Sequence, residues 1–343
     1  MNRPLNFLVL GVARSGTSAL TQALNVNPRV ICGMETFNAF EDHTNLSYPR
    51  SFQDRLNASE GYQKTFLRTV LGRAGATGPI AIGNKEPNYD LSLTRIVKAL
   101  PDIRLLFIYR HPCAFFESWN IRARDRNDTQ WPAGKRGLLG ALSLMIYLRE
   151  LSRLDTECLI IPYSYFSAEV AGSLSHVFRF LGVDTIGDDG CVPLQSIQMQ
   201  ADRLSGKSRA VTQGETDFLN AIAFAELDKI LSQDRCFNFS EIRSDIKAYL
   251  LQNTERFVRM FIKAICDYDD AEVISYFHNS LRHPAVAALF HDAAKQSADV
   301  GRWLDALPRR RKIYRLLFGS NDLGPYAKFI ARIQADDKLA LNG

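Results

Sequence analysis

Gly11, Gly16 and Ser18 in the stretch GVARSGTS have the spacing of the phosphate-loop pattern GxxxxGK[ST], with Thr17 at the lysine position. Glycines in such a loop let the backbone curl until successive N–H groups point inward, and the following helix adds the positive end of its dipole. Thr17 and Ser18 add hydroxyl donors, and Arg14 adds a fixed charge from within the loop. An anion cradle therefore survives without the lysine. The magnesium half of a nucleotide hydrolase needs an aspartate at the end of a neighbouring buried strand. The two best buried strands end as LLFIYR and LIIPY, with no carboxylate at either exit. A phosphate site that works without a metal is the expectation.

A second group of chemically capable residues is YRHPCAFFESW, 109–119. Arg110 leaves an apolar run and Pro112 suits the first position of a helix. That order places Arg110 near the carboxyl edge of a sheet, where ligands bind in open α/β folds. Ser118 follows eight residues later, so guanidinium and hydroxyl can serve one phosphate. The plainer reading of the same residues is a capped helix with a surface salt bridge.

The elements that position these residues follow from periodicity. Short apolar runs, each followed by a turn and a helical pattern, predict a parallel sheet with crossover helices. The expected strands are Leu5–Leu10, Ile80–Ile82, Ile103–Tyr109 and Cys158–Ile161; the expected helices are Thr17–Asn25, Ser92–Leu100, Pro112–Trp119, Gly137–Leu154 and Ala168–Leu181. Residues 38–78 and 121–136 are polar and weakly periodic and are expected to be loops that carry a substrate site. FFESW and GLLGALSLMIYL are apolar at helical spacing, which core packing explains. From about Phe237 the pattern is helical. The expected fold is α/β, a P-loop-type central parallel sheet flanked by helices in residues 1–235, with a helical C-terminal region in 236–343.

Composition narrows the partners. A net charge of +5 spread along the chain suits an anionic ligand and falls short of a nucleic-acid interface. No apolar run approaches the roughly 20 residues of a membrane span, and the start MNRPLNFLVLG is expected to be a strand rather than a signal peptide. A soluble, cytoplasmic protein is the expectation. Six separated cysteines without a CxxC pair fit buried free thiols in a reducing compartment. The histidine and cysteine spacings predict no bound metal. PRRRKIYRLLF, 308–318, is expected to be a solvated helix face, with weak contact to a membrane surface or acidic partner as the alternative.

Taken together, a metal-free phosphate loop and an arginine and serine eight apart, each after a strand, resemble the sulfotransferases that use 3′-phosphoadenosine 5′-phosphosulfate (PAPS). The resemblance covers roughly residues 5–235 and is closer to bacterial and glycan-type members. It implies that the first loop, with Arg14, Ser15, Gly16, Thr17 and Ser18, holds the 5′-phosphosulfate, and that Arg110 and Ser118 hold the 3′-phosphate. Arg14 stands where the family often has lysine. PIAIGNKEPNYD resembles the strand and K-x-P turn that put Lys85 near the sulfate, and VICGMETFNAF the segment that carries a glutamate base, here Glu35. LIIPYSYFSAEV resembles the strand and turn that close the nucleotide site, with Tyr163 on the adenine, although Ser164 and Tyr165 replace the usual acidic pair. SGKSR, with Lys207 and Arg209, stands in for the lysine- and glycine-rich loop of cytosolic members.

The activity so implied is in-line transfer of a sulfuryl group to a hydroxyl-bearing acceptor such as a glycan, lipid or small molecule. Glu35 would take the hydroxyl proton, with His43 in the substrate loop and His111 beside Arg110 as rival bases. Arg14, Lys85 and the loop amides would stabilise the developing charge. Two other readings keep the phosphate motifs: a P-loop kinase, which would need Mg²⁺ and ATP, and a non-catalytic nucleotide-binding partner protein.

Overall fold

The apolar runs expected to be strands pair with one another in parallel. In the computed structural model, which describes residues 4–40, 49–73, 78–125, 128, 131, 135–184, 213–266 and 283–296, strands β1 (Leu5–Leu10), β2 (Val30–Met34), β3 (Ala81–Lys85), β4 (Arg104–Tyr109), β5 (Cys158–Pro162) and β6 (Phe237–Asn238) form one sheet. Its order is β2-β3-β1-β4-β5-β6. The first five strands are parallel, and β6 runs antiparallel along β5. β1 is buried from Phe7 onward and β4 from Leu105 onward, because helices cover both faces of a parallel sheet.

Among the described residues as far as Phe180 the α-helices are α1 (Thr17–Leu24), α2 (Pro49–Ala58), α3 (Gly61–Arg73), α4 (Leu93–Ala99), α5 (Pro112–Arg124), α6 (Gly137–Arg153), α7 (Tyr163–Ala168) and α8 (Val170–Phe180). Leu20, Ala23 and Leu24 of α1 join Val170, Leu174, Val177 and Phe178 of α8 in one buried cluster with Val9, Ile108 and Ile161 of the sheet. Beyond β6 the described residues are helical, Phe239–Cys266 and Pro284–Gln296.

The chain divides into two compact units. The first comprises Met1–His111, Glu150–Ser208 and Asp228–Ser244 and contains the whole sheet; the second comprises Pro112–Arg149, Arg209–Leu227 and Asp245–Gly343. Within the second, Phe218 meets the rings of Phe116, Phe257 and Phe261 edge-on or tilted, and the Asn120 amide donates to buried Glu215 at 2.8 Å.

Several elements differ from the sequence reading. β2 was not expected as a strand, β3 runs on to Lys85, and α5 continues to Arg124. Residues expected to be loop between 38 and 78 carry α2 and α3, two polar helices. Each is held by very few apolar anchors, Phe52 in α2 and Leu67 and Val70 in α3, too sparse for a clear 3.6-residue period. Among the described cysteines, Cys32, Cys158 and Cys236 are buried and Cys113 is exposed, all as free thiols. Burial pushes the Cys32 thiol up to about 12. No described helix is long and apolar enough to cross a membrane. The basic segment 308–318 lies outside the described residues.

β2 is the first strand of the sheet, and an amide side chain closes its outer edge. Asn25, just past α1, accepts from the Cys32 N–H and donates to the Cys32 carbonyl, both at 2.8 Å, as a neighbouring strand would. Replacing Asn25 with alanine strands two buried backbone groups. A loss of about 1–3 kcal/mol in urea unfolding is expected, the usual consequence of unpaired buried polar groups. An unchanged midpoint would show that β2 does not need the brace.

Candidate functional site

A parallel sheet sends every strand out at the same edge, and the described residues of the first unit that the sequence singles out lie along it. Gly11 follows β1, Glu35 follows β2, Lys85 ends β3, Arg110 follows β4 and Tyr163 follows β5. β1 lies between β3 and β4, so the chain visits one side of it before crossing to the other. Ligands of open α/β sheets bind outside the carboxyl ends at such a reversal.

The phosphate loop is shaped by what it leans on. Leu10, the last residue of β1, is level with Phe107, so Ile108 and Tyr109 of β4 overhang the loop. A Cβ at Gly11 would come within 2.7 Å of the Ile108 carbonyl, and one at Gly16 within 2.6 Å of the Tyr163 ring; φ is +150° and +102° at the two positions. Only glycine fits that close approach in that conformation. Gly16 is the N-cap of α1 and no side chain caps the helix, so its first N–H groups are left for another acceptor. Ser15 Oγ is buried without a hydrogen-bond partner. Thr17 is buried and Ser18 is exposed.

Arg110 ties three strand exits together. Its Nη1 donates to the Arg14 carbonyl at 2.9 Å, and its guanidinium lies 4.7 Å from the centre of the Tyr163 ring. The arginine is thereby held against the loop by a hydrogen bond and a cation–π contact. His111, next in sequence, is half-buried.

On the other side of β1, Lys85 and Glu35 form an ion pair, Nζ to Oε1 at 2.5 Å. The lysine side chain is 4% exposed and the glutamate 52%, so a buried cation is matched by a carboxylate that reaches solvent. The Glu35 N–H also donates to the Lys85 carbonyl at 2.6 Å, after which φ of +57° turns the chain away. Asn84, fully buried on β3, catches the turn: its Oδ1 accepts from Thr36 and Phe37 N–H, and its Nδ2 donates to the Phe37 carbonyl. Among described non-glycine residues only Arg14 and Glu35 have positive φ. Strain of this kind persists where the surroundings over-determine it, and it gathers at functional sites.

Glu86 is a member of this group that the sequence reading missed. It is buried beside Lys85, and its Oε1 accepts from the Asn88 amide. Burial first, and then the Glu35 charge, push its carboxyl above the usual range. The sequence signal was a carboxylate directly after a strand, on β3 rather than on the two strands searched. Of the other expected site residues, Ser118 lies half-buried on α5 in the second unit, and His43, Lys207 and Arg209 fall outside the described residues. Among the described residues no group of three or more His, Cys, Asp or Glu is placed to hold a metal ion.

A family model, described as the sulfotransferase family, matches residues 6–187. No curated protein matches the chain. Among solved structures, a sulfotransferase from Mycobacterium avium is 12% identical, with 62% of this chain and 70% of that chain covered and a TM-score of 0.33. A sulfotransferase from Alicyclobacillus acidocaldarius is 19% identical, with 60% and 94% covered and a TM-score of 0.32. The sulfotransferase domain of the Synechococcus PCC 7002 olefin synthase is 17% identical, with 65% and 86% covered and a TM-score of 0.34.

The raised carboxyl of Glu86 sets a pH dependence whose sign is fixed. A group that holds its proton more tightly in the folded chain favours folding at low pH and loses that contribution as pH rises past its ordinary 4.5 towards the raised value. Glu86→Gln has no proton to lose. Its melting temperature should equal wild type at about pH 4 and exceed it at about pH 7.5. Equal melting at both pH values would mean that the buried charge carries no penalty.

Proposed function

Because the chain belongs to the sulfotransferase family, we propose that it is an enzyme that moves a sulfuryl group from PAPS to the hydroxyl of an acceptor. The observation that carries this reading is the meeting of five strand exits at one edge, with the phosphate loop and Arg110 on one side and the Glu35–Lys85 pair on the other. When bound, the donor supplies the sulfuryl group and departs as adenosine 3′,5′-bisphosphate.

The loop fits an anionic end of that donor by its own features. The α1 N-terminus is uncapped, Ser15 Oγ is buried without a partner, and Gly11 and Gly16 bring bare backbone to the site. Arg14, Ser15, Gly16, Thr17 and Ser18 are assigned to the 5′-phosphosulfate. Arg110 and, by the spacing of eight, Ser118 are assigned to the 3′-phosphate, with Tyr163 on the adenine face; Lys207 and Arg209 are further phosphate ligands of the proposal. Glu35 takes the proton of the acceptor hydroxyl from its half-exposed position, with His43 as the rival base. Lys85 and Arg14 supply positive charge where negative charge develops, the arrangement worth most in a water-poor site. Sulfuryl transfer then needs positioning and charge more than covalent help.

Calorimetry and turnover test the reading together. Adenosine 3′,5′-bisphosphate should bind without Mg²⁺ and out-compete ATP, and Arg110→Ala should weaken it about 10- to 100-fold, as expected for lost hydrogen bonds to a charged group. Glu35→Gln should keep that binding and lose about 100-fold or more in turnover, the scale of general-base catalysis. Mg²⁺-dependent preference for ATP would favour the kinase reading, and undiminished turnover by Glu35→Gln would remove the glutamate from the mechanism.

A further inference from the structure

Among the described residues only Phe40, Tyr62 and Leu251 expose large apolar side chains, and two of the three adjoin the turn that carries Glu35. Phe40 lies five residues after Glu35, and Tyr62 stands 66% exposed in the first turn of α3. The next residue, Gln63, fixes that turn on both sides of Glu35: its Nε2 donates to the Met34 carbonyl at 3.0 Å and to Thr36 Oγ1 at 3.1 Å. Leu67 and Val70, four and seven residues after Gln63, are buried on that same face of α3.

The adjoining flank of α3 carries Tyr62, Thr65, Phe66 and Thr69. Tyr62 and Phe66 stack one helical turn apart, 6.3 Å between centroids and 22° between planes. The hydroxyls of exposed Thr65 and Thr69 donate to the Gly61 and Thr65 carbonyls, which orients them and leaves their oxygens able to accept. The result is an open aromatic face edged by hydroxyl oxygens, on the helix whose Gln63 and Tyr62 reach Met34 and Thr36 on either side of Glu35. A fatty or polycyclic acceptor would call for an enclosed, mostly apolar cleft. A sugar ring has one C–H face to lay on an aromatic and a rim of hydroxyls to donate, and it matches this flank.

We propose that the Tyr62–Phe66 flank of α3 is the acceptor subsite, and that it takes a carbohydrate ring whose hydroxyl is offered to Glu35. This rests on the reading of Glu35 as the base, and the test separates the two. Saturation-transfer NMR, with adenosine 3′,5′-bisphosphate present, would compare methyl β-glucopyranoside and maltose with 4-nitrophenol and octanol on wild type, Tyr62→Ala and Tyr62→Phe. Tyr62 is exposed, so both variants should fold. The sugars should bind wild type and Tyr62→Phe, and lose about tenfold in affinity on Tyr62→Ala, the scale of one aromatic face contact. Affinity for the bisphosphate should not change. Sugar binding that is absent from wild type or indifferent to Tyr62→Ala overturns the subsite, as does loss of 4-nitrophenol or octanol binding in place of sugar. In a second arm, labelled PAPS and maltose are given to Glu35→Gln. Wild-type turnover there, with sugar binding still lost in Tyr62→Ala, would keep the sugar subsite and discard the base.

Discussion

The direction of the strands is the constraint on which the site depends. Five parallel strands deliver five chain exits to one edge, and the exits are not level. β2 and β3 stop level with Val9, while β4 overhangs the end of β1 by two residues and β5 reaches level with Tyr109. The phosphate loop occupies the step so formed. It is backed by Ile108 and Tyr163 on the high side, which is why bare backbone is needed at Gly11 and Gly16. Lys85 ends the low side, one pairing step from the end of β1. Register therefore sets that the loop is backed by Ile108 and Tyr163 on one side and neighbours the Lys85 exit on the other.

On the low side, burial of one cation organises the rest. Lys85 is almost wholly withdrawn from water, and an unpaired ammonium there would be strongly disfavoured. Glu35 meets it from β2, which requires the β2 exit to turn back sharply. That turn is made by β3 itself, through the Lys85 carbonyl and the Asn84 amide, so the strand that carries the cation also aims its partner. Glu86 adds a second carboxylate. Burial and the nearby Glu35 charge both push the Glu86 carboxyl up, so the low side holds two acids of unequal surroundings around one lysine.

What could be read in the sequence divides along the same line. β1, β4 and β5 are continuous apolar runs, and the loop and Arg110 follow them directly, so they were legible from local pattern. β2 was not. VICGM is only five residues long with Gly33 inside it, and it is held as a strand by β3 on one side and the Asn25 amide on the other, contacts that no local window contains. α2 and α3 were hidden for a related reason, since Phe52, Leu67 and Val70 are too few to impose a period on polar helices. Glu35 and Lys85 were each found, but not as a pair, because fifty residues separate them and only the β2–β3 register joins them. Glu86 went unnoticed because the search for strand-end carboxylates followed the most apolar strands, and β3, with Gly83 and Asn84 in it, is not one of those.

Placing a threonine at the loop lysine position moves positive charge out of one point and along the edge. Arg14 comes from the loop and Arg110 from the β4 exit, both on the high side, where Asp228 accepts from the Tyr109 hydroxyl at 3.3 Å. Lys85 comes from β3 on the low side, where Glu35 and Glu86 outnumber it. The basic strand-exit residues are thus divided, Arg14 and Arg110 at the β1 and β4 exits and Lys85 with Glu35 and Glu86 at the β2 and β3 exits. A compact triphosphate gains nothing from that division, because its charge sits in one place. A ligand with anionic groups at two separated points, and a neutral hydroxyl that must give up a proton between them and the acid side, uses both ends of it. The same strand order puts the proposed base, Glu35, and the proposed phosphate ligand, Arg110, on opposite sides of β1, so that the proton acceptor and the donor's anionic end are met by different strand exits.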